Sequence, residues 1–257
     1  MARLRFFGKL ITLGETYLAQ YLAYRGELFF WVLSQSLPFL FLALWVEGGP
    51  RPDREYVRYY FFAWLLGLFR PTWMAYTLSY EIRTGRLSPL LLRPFSPVFD
   101  HLADALALSL LYLPLGLPVF GLLYALFPGF LAGLSPGDAG AFLGYLALGF
   151  AFHFALGWLF GALAFFLERS DSLLEPYYGL LFFFGGLALP LDALPEGLLR
   201  GLSWTPLPYL VYYPAARAAG WEAEAGYGLL IVWTLFVSVL AAWAWRRGLV
   251  RYSSMGA

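Results

Sequence analysis

Six stretches of about twenty mostly apolar residues run through this chain, at 27–46, 57–80, 105–127, 139–167, 173–191 and 227–249. A helix of that length crosses the hydrocarbon core of a bilayer, and within lipid it satisfies every backbone polar group internally. The pattern therefore predicts an all-α membrane protein with six transmembrane helices, forming one transmembrane domain over residues 1–257. Pro114 and Pro118 in the third stretch and Arg70-Pro71 in the second predict kinks.

Composition agrees. The chain is 61% hydrophobic and 13% charged, where soluble domains run near 45–50% and 25%. A net charge of +1 lacks the basic footprint of a nucleic-acid binder. There are no cysteines, so disulfides, thiol chemistry and Cys-ligated metals are excluded. Lys9 is the only lysine and Leu10 follows it. A phosphate-binding loop of the G-x-x-x-x-G-K-[ST] type is therefore absent, and with it that route to ATP hydrolysis.

Before the first stretch, Phe6, Leu10, Leu13, Tyr17 and Tyr21 recur at three- and four-residue steps, with Arg3, Arg5, Lys9 and Glu15 off that face. Residues 1–25 read as an amphipathic helix in the headgroup plane, or else as a ragged extension of the first span. Glu15, Arg25 and Glu27 interrupt any signal-peptide core, so the segment is expected to be retained.

Arginine placement sets the orientation. With the N-terminus cytoplasmic, Arg3, Arg5, Lys9, Arg25, Arg83, Arg86, Arg93, Arg169, Arg246, Arg247 and Arg251 face the cytoplasm. Only Arg51, Arg54, Arg58, Arg200 and Arg217 face outward. Both termini of a multi-pass protein of the cell (inner or plasma) membrane are then cytoplasmic, as is the polar insert 85–104.

That insert carries two Ser-Pro pairs. Serine at the N-cap and proline at the first helical position are the favoured residues there. Ser88-Pro89 predicts a short helix over 89–93, and Ser96-Pro97 a second one leading into the third span. Leu87, Leu90, Leu91 and Leu92 give the short helix an apolar surface flanked by Arg86 and Arg93. The alternative is a plain connecting loop held to anionic headgroups by its arginines. After the fifth span, residues 190–217 are too proline-rich for a span and too apolar for a simple loop, which suggests broken helices dipping into the membrane. Trp204, Tyr209, Tyr212 and Tyr213 suit an interface.

Arg70 lies near the middle of the second span. It either lines a transport path or pairs with a neighbouring helix, unless the span is shifted and the side chain snorkels. His153 has no carboxylate in its own span before Glu168 and reads as a packing histidine. Asp100, His101 and Asp104 share one helical stretch. Two carboxylates and one histidine are thin as a metal site, and they read as solvated residues. Gly140/Gly144 and Gly157/Gly161 form G-x-x-x-G pairs of the kind that allows close helix packing.

Two segments carry a resemblance. "EIRTGRLSPLLLRPFSPVFDHLADAL" (Glu81–Leu106) has an acidic residue, a glycine, a leucine run and prolines, and "LALPLDALPEGLLRGLSWTPLPYLVYYP" (Leu187–Pro214) follows the fifth span. With the six-span topology, the chain resembles the permease subunit of ABC-2-type exporters, in the branch whose ATPase is a separate chain. The resemblance implies a half-transporter. A second permease chain, identical or homologous, would pair with it in the lipid, and two ATPase subunits holding ATP and Mg would dock below. No cofactor would belong to this chain. The resemblance also implies that Arg86, Leu87, Ser88, Leu90, Leu91, Leu92 and Arg93 form the coupling helix. It would sit in a groove of the ATPase and pass its closure to the spans. The turn Glu168–Asp171 and the N-terminal helix would be secondary contacts. Without that partner, two further classes remain: an integral membrane enzyme, for which no catalytic constellation is apparent, and a passive channel or scaffold.

Overall fold

In the computed structural model, helix α1 (Ala2–Ala23) ends at Tyr24, whose φ of −106° and ψ of 35° separate it from α2 (Arg25–Ser34). The structure describes residues 2–223 and 226–252, and only the backbone of residues 2–7, 25, 29 and 32. The orientations predicted for the side chains of Arg3, Arg5 and Phe6 thus lie outside the described set. Leu10, Leu13, Tyr17 and Tyr21, on the predicted apolar face, are half-buried, whereas Lys9, Ile11 and Glu15 are exposed.

The first apolar stretch is divided. Helix α2 stops at Ser34 and α3 (Pro38–Gly48) begins with its proline in the first turn. The second stretch is divided where it was expected to bend. Helix α4 (Asp53–Leu68) closes at Phe69, and Arg70 takes φ −114° and ψ 82°. The ring of the following proline disfavours helical geometry at the residue before it. A 3-10 turn at Pro71–Trp73 then leads into α5 (Met74–Arg83).

Gly85, at φ +76°, reverses the chain into the five-residue helix α6 (Leu87–Leu91). Helix α7 (Pro97–Leu115) follows and contains Pro114. The helix restarts after Gly116 as α8 (Leu117–Leu126). Helix α9 (Pro136–Ala162) is the longest, and its N-cap Ser135 accepts from the Asp138 N–H at 3.0 Å. A 3-10 turn at Ser170–Leu173 opens α10 (Leu174–Phe184).

The next segment breaks into a 3-10 turn at Leu191–Ala193, α11 (Glu196–Leu202), α12 (Leu207–Leu210) and α13 (Tyr212–Ala219). Gly186 turns the chain at φ +104°, and a Cβ there would lie 2.6 Å from the Tyr59 hydroxyl. That hydroxyl donates to the Gly186 carbonyl at 2.7 Å. Tyr212, expected at the interface, is instead buried, because α13 packs its Tyr212, Ala215, Ala216 and Ala219 face on α4. Trp204 is exposed. Helix α14 (Gly228–Arg251) completes the chain.

Among the described residues, three helical stretches are long and apolar enough to cross a membrane: Pro97–Leu126, Pro136–Phe165 and Gly228–Arg251. All regular elements among the described residues are helical. Helix α9 is the hub and packs most extensively on α14 and α5, while α1 lies along α7 and α3 along α4. The core is aromatic. Tyr59 stacks on Trp221 with centroids 4.7 Å apart, and Phe62 meets Phe142 at 4.6 Å.

Candidate functional site

The α5–α7 connection is built around one anchor. Leu87 is fully buried against Met74, Leu78 and Ile82, so it roots α6 and offers no outward surface. The outward surface comes from Leu91, Leu92 and Arg93, with Leu92 at 88% exposure. Leu90 is half-buried, and Arg86 is exposed with its guanidinium 5.3 Å from the Tyr80 ring centroid. Ser88 is not a cap. The helix starts at Leu87, because Gly85 turns the chain early and Arg86 is already helical at φ −68°, ψ −11°. The Ser88 hydroxyl instead lies 3.2 Å from the Tyr252 hydroxyl, just past α14. Ser96 does occupy the N-cap of α7 ahead of Pro97, although its side chain makes no capping bond.

The neighbouring turn is tied in as well. Arg83 donates to the Glu168 carbonyl at 3.0 Å and lies 3.9 Å from Asp171. Ser79 donates to Asp171 at 3.3 Å. The end of α5 is thus bonded to the turn between α9 and α10, and α6 to the end of α14, with buried Leu87 packing the two sets together.

Beside it, Asp100, His101 and Asp104 are buried rather than solvated. Tyr17 donates to Asp100 at 2.8 Å and Tyr21 to Asp104 at 2.6 Å. His101 Nε2 lies 3.0 Å from Glu81 on α5, and Arg93 lies 3.9 Å from Asp100. The carboxylates are buried because α1 covers them, and its two phenols supply the hydrogen bonds that water would otherwise make. Burial, then the bond to Asp100, pushes the Tyr17 hydroxyl above its ordinary range, so it stays a donor. No group of three or more potential ligands able to hold a metal occurs among the described residues.

Arg70 sits at the break between α4 and α5, half-buried. Its Nη2 is 3.4 Å from Gln35 Oε1, and its guanidinium is 5.2 Å from the Tyr178 ring centroid. It lines a cavity of about 990 Å³ between α1–α3, α4, α5, α7 and α10. His153 is buried between Phe152 and Tyr177, as a packing histidine would be. Its Nδ1 lies 2.7 Å from the Gly149 carbonyl, which makes Nδ1 the protonated nitrogen, and Nε2 has no partner among the described residues. Gly157 and Gly161 are close-packing positions, since a Cβ on Gly161 would lie 2.8 Å from Leu78. Gly140 faces open space, so Gly140/Gly144 is no helix-packing pair; Gly144 alone is tight, against Tyr227.

Three contributions were not legible in the sequence. Glu81 appeared only as the acidic residue that opens the Glu81–Leu106 segment, and Tyr17 and Tyr21 only as face positions. Arg58, expected to face outward, is buried and donates to the carbonyls of Phe130 (2.7 Å), Ala219 (3.3 Å) and Ala132. It joins α4 to the turn after α8 and to the C-terminal end of α13, where carbonyls and helix dipole both favour a cation. Its place one turn into a helix, amid Tyr56, Tyr59 and Tyr60, is the only sequence signal that could have marked it.

The long apolar helices are those of a membrane protein. No curated protein matches the chain. The family model described as ABC-2 family transporter protein matches residues 54–256, which include every helix from α5 to α14 and nearly all of α4. The chain belongs to the ABC-2 family of transporter proteins and is an ABC transporter permease.

Proposed function

We propose that the chain is the permease half of an ATP-driven exporter, coupled to separate ATPase subunits through residues 86–93. The observation that carries this reading is the α6 cluster. Leu91, Leu92 and Arg93 are exposed, while Leu87, Ser88 and the adjoining Arg83 tie the segment to α5, α14 and the Glu168–Asp171 turn. A load on Leu92 would reach α5, α14 and that turn together. Arg86 and Arg93 would frame the contact, with Leu90 beneath it. ATP and Mg would be held by the partner, and a second permease chain would complete the path within the lipid.

The reading includes six crossings in one transmembrane domain. Contacts alternate along the chain in a way that supports this. Asp138 pairs with Arg217 at 3.0 Å, Arg51 with Asp192 at 2.5 Å, and Trp221 donates to Glu55 at 3.1 Å, which gathers one set of helix ends. Arg83, Asp171, Ser88 and Tyr252 gather the opposite set. Helices α2–α3, α4–α5, α7–α8, α9, α10 and α14 would each run from one set to the other. The Arg83 end would be cytoplasmic, with both termini, in the inner or plasma membrane. Residues 190–217 would form the outer re-entrant segment, 85–104 the coupling segment and 1–25 an interfacial helix.

The test is co-purification. The wild-type chain extracted from its native membrane should bring down a nucleotide-hydrolysing subunit in equal amount. A well-folded chain that conducts ions or acts on a lipid with no such subunit would point to a channel or an enzyme instead.

A further inference from the structure

The cavity beside Arg70 is large enough for a ligand. At about 990 Å³ it lies at the upper end of the range for small-molecule sites. Its walls are mostly apolar, including Leu37, Leu68, Leu108 and Phe182. Trp64 is buried in the same wall, and its Nε1 has no hydrogen-bond partner among the described residues. Among the described side chains, Arg70 is the one cation in the lining. It makes no ion pair among the described residues, and its nearest polar contact, to Gln35, is long at 3.4 Å. A guanidinium within a membrane helix calls for an anionic or polar partner.

Two carboxylates also line the cavity, Glu27 and Glu175. Glu27 lies in the first turn of α2, eight residues before Gln35, or about 12 Å along a helix. Glu175 accepts from the Tyr76 hydroxyl at 2.9 Å. They lie in the first turns of α2 and α10. At the rim stand exposed Trp31 and Leu37, continuous with exposed Leu40 and Leu44 on α3. The exposed part of the lining thus has an apolar side, and exposed Glu27, Ser34 and Glu175 give it a polar one, a pairing that suits an amphipath.

We propose that this cavity binds one lipid-like amphipath, with its anionic head at Arg70 and Gln35 and its chain among the aromatic and leucine walls. The inference rests on the permease reading only in making this ligand the cargo; binding itself stands apart from ATPase coupling.

The test uses the full chain with its co-purifying partners in phosphatidylcholine nanodiscs, doped with brominated phosphatidylglycerol or brominated phosphatidylcholine. Trp31, Trp64 and Trp73 line the cavity and report by quenching. Brominated phosphatidylglycerol should quench at about tenfold lower lipid fraction, the size of one charge-assisted hydrogen bond. Arg70→Gln should abolish that preference, and Arg70→Lys should keep most of it. Gly179 lines the cavity and a Cβ there meets nothing within 4 Å, so Gly179→Phe should fold and block both lipids. Dodecyl phosphate should displace the quencher, while inorganic phosphate and dodecyltrimethylammonium should not. Equal quenching by the two lipids, a preference that survives Arg70→Gln, displacement by inorganic phosphate alone, or stronger displacement by the cationic amphipath would each overturn the proposal. If the lipid preference fails while the ATPase still co-purifies, the inference falls and the permease reading stands.

Discussion

The Tyr21 hydroxyl lies 2.6 Å from the Asp104 carboxylate, and one turn earlier on both helices Tyr17 lies 2.8 Å from Asp100. The two rungs share a register, with 83 residues between partners in each. Helices α1 and α7 therefore run parallel and side by side here, and the N-terminal helix is clamped to the protein. A lipid-only anchor would need no such matched pair.

Removing one rung should loosen that clamp. Tyr21→Phe leaves the ring and takes away one hydrogen bond to a buried carboxylate, a loss of about 1.5–3 kcal/mol. Thermal unfolding in detergent should show a lower Tm. Because the two groups touch, Tyr21→Phe and Asp104→Asn should be strongly non-additive in a double-mutant cycle, with a coupling of about 1 kcal/mol or more. Additive losses would mean that the rung carries no load.

The buried guanidinium of Arg58 should matter more than its outer position suggests. Arg58→Met would leave the carbonyls of Phe130, Ala132 and Ala219 without their donor. At about 1–3 kcal/mol for each buried unsatisfied group, a destabilisation of about 3 kcal/mol is expected. Arg58→Lys should recover little of it, since an ammonium cannot reach three carbonyls in a planar fork. Denaturation of the purified variants measures both.

The glycine pairs should separate cleanly. Gly161→Val places side-chain atoms against Leu78, where a Cβ alone already comes within 2.8 Å, and overpacking of this kind costs about 1–3 kcal/mol. Gly140 faces open space in the first turns of α9, so Gly140→Ala should be neutral or stabilising by about 0.5–1 kcal/mol. Paired melting curves decide it.

Orientation can be read by labelling, because the chain has no cysteine of its own. Leu92→Cys and Glu196→Cys both fall on exposed residues. A membrane-impermeant maleimide should reach the first only in inverted vesicles and the second only in right-side-out ones. Labelling of both from one side would refute the proposed topology.

Much of the architecture was open to reading because hydrocarbon imposes a strong, local requirement. Long, mostly apolar stretches show in any window, as at Pro97–Leu126, Pro136–Phe165 and Gly228–Arg251, and so do Arg70-Pro71, where α4 and α5 part, and the prolines that cut residues 190–217. The break at Gln35–Leu37 went unread although Pro38 marks it, since proline bars the preceding helix from continuing and is favoured in the first turn of the next. Burial of Asp100 and Asp104 was missed for a different reason. Their charge spoke for solvent, and only the docking of a helix 83 residues away removes it. Ser88 carried a sound capping signal, but Gly85 started the helix one residue before it, and the hydroxyl went to Tyr252. Short-range rules were reliable where the backbone alone decides, and failed where a distant partner does.

The central claim is that force passes between this chain and an ATPase through the exposed tip of α6. Leu92 is the sharpest probe, because at 88% exposure its replacement should not disturb the fold. The decisive measurement is the affinity of the purified ATPase subunit for the permease in nanodiscs, wild type against Leu92→Asp, with Tm recorded for both. Burying a carboxylate in an apolar groove should weaken binding by about tenfold or more, at an unchanged Tm. Equal affinity for the two, with both folded, would contradict the claim and return residues 86–93 to an ordinary cytoplasmic loop.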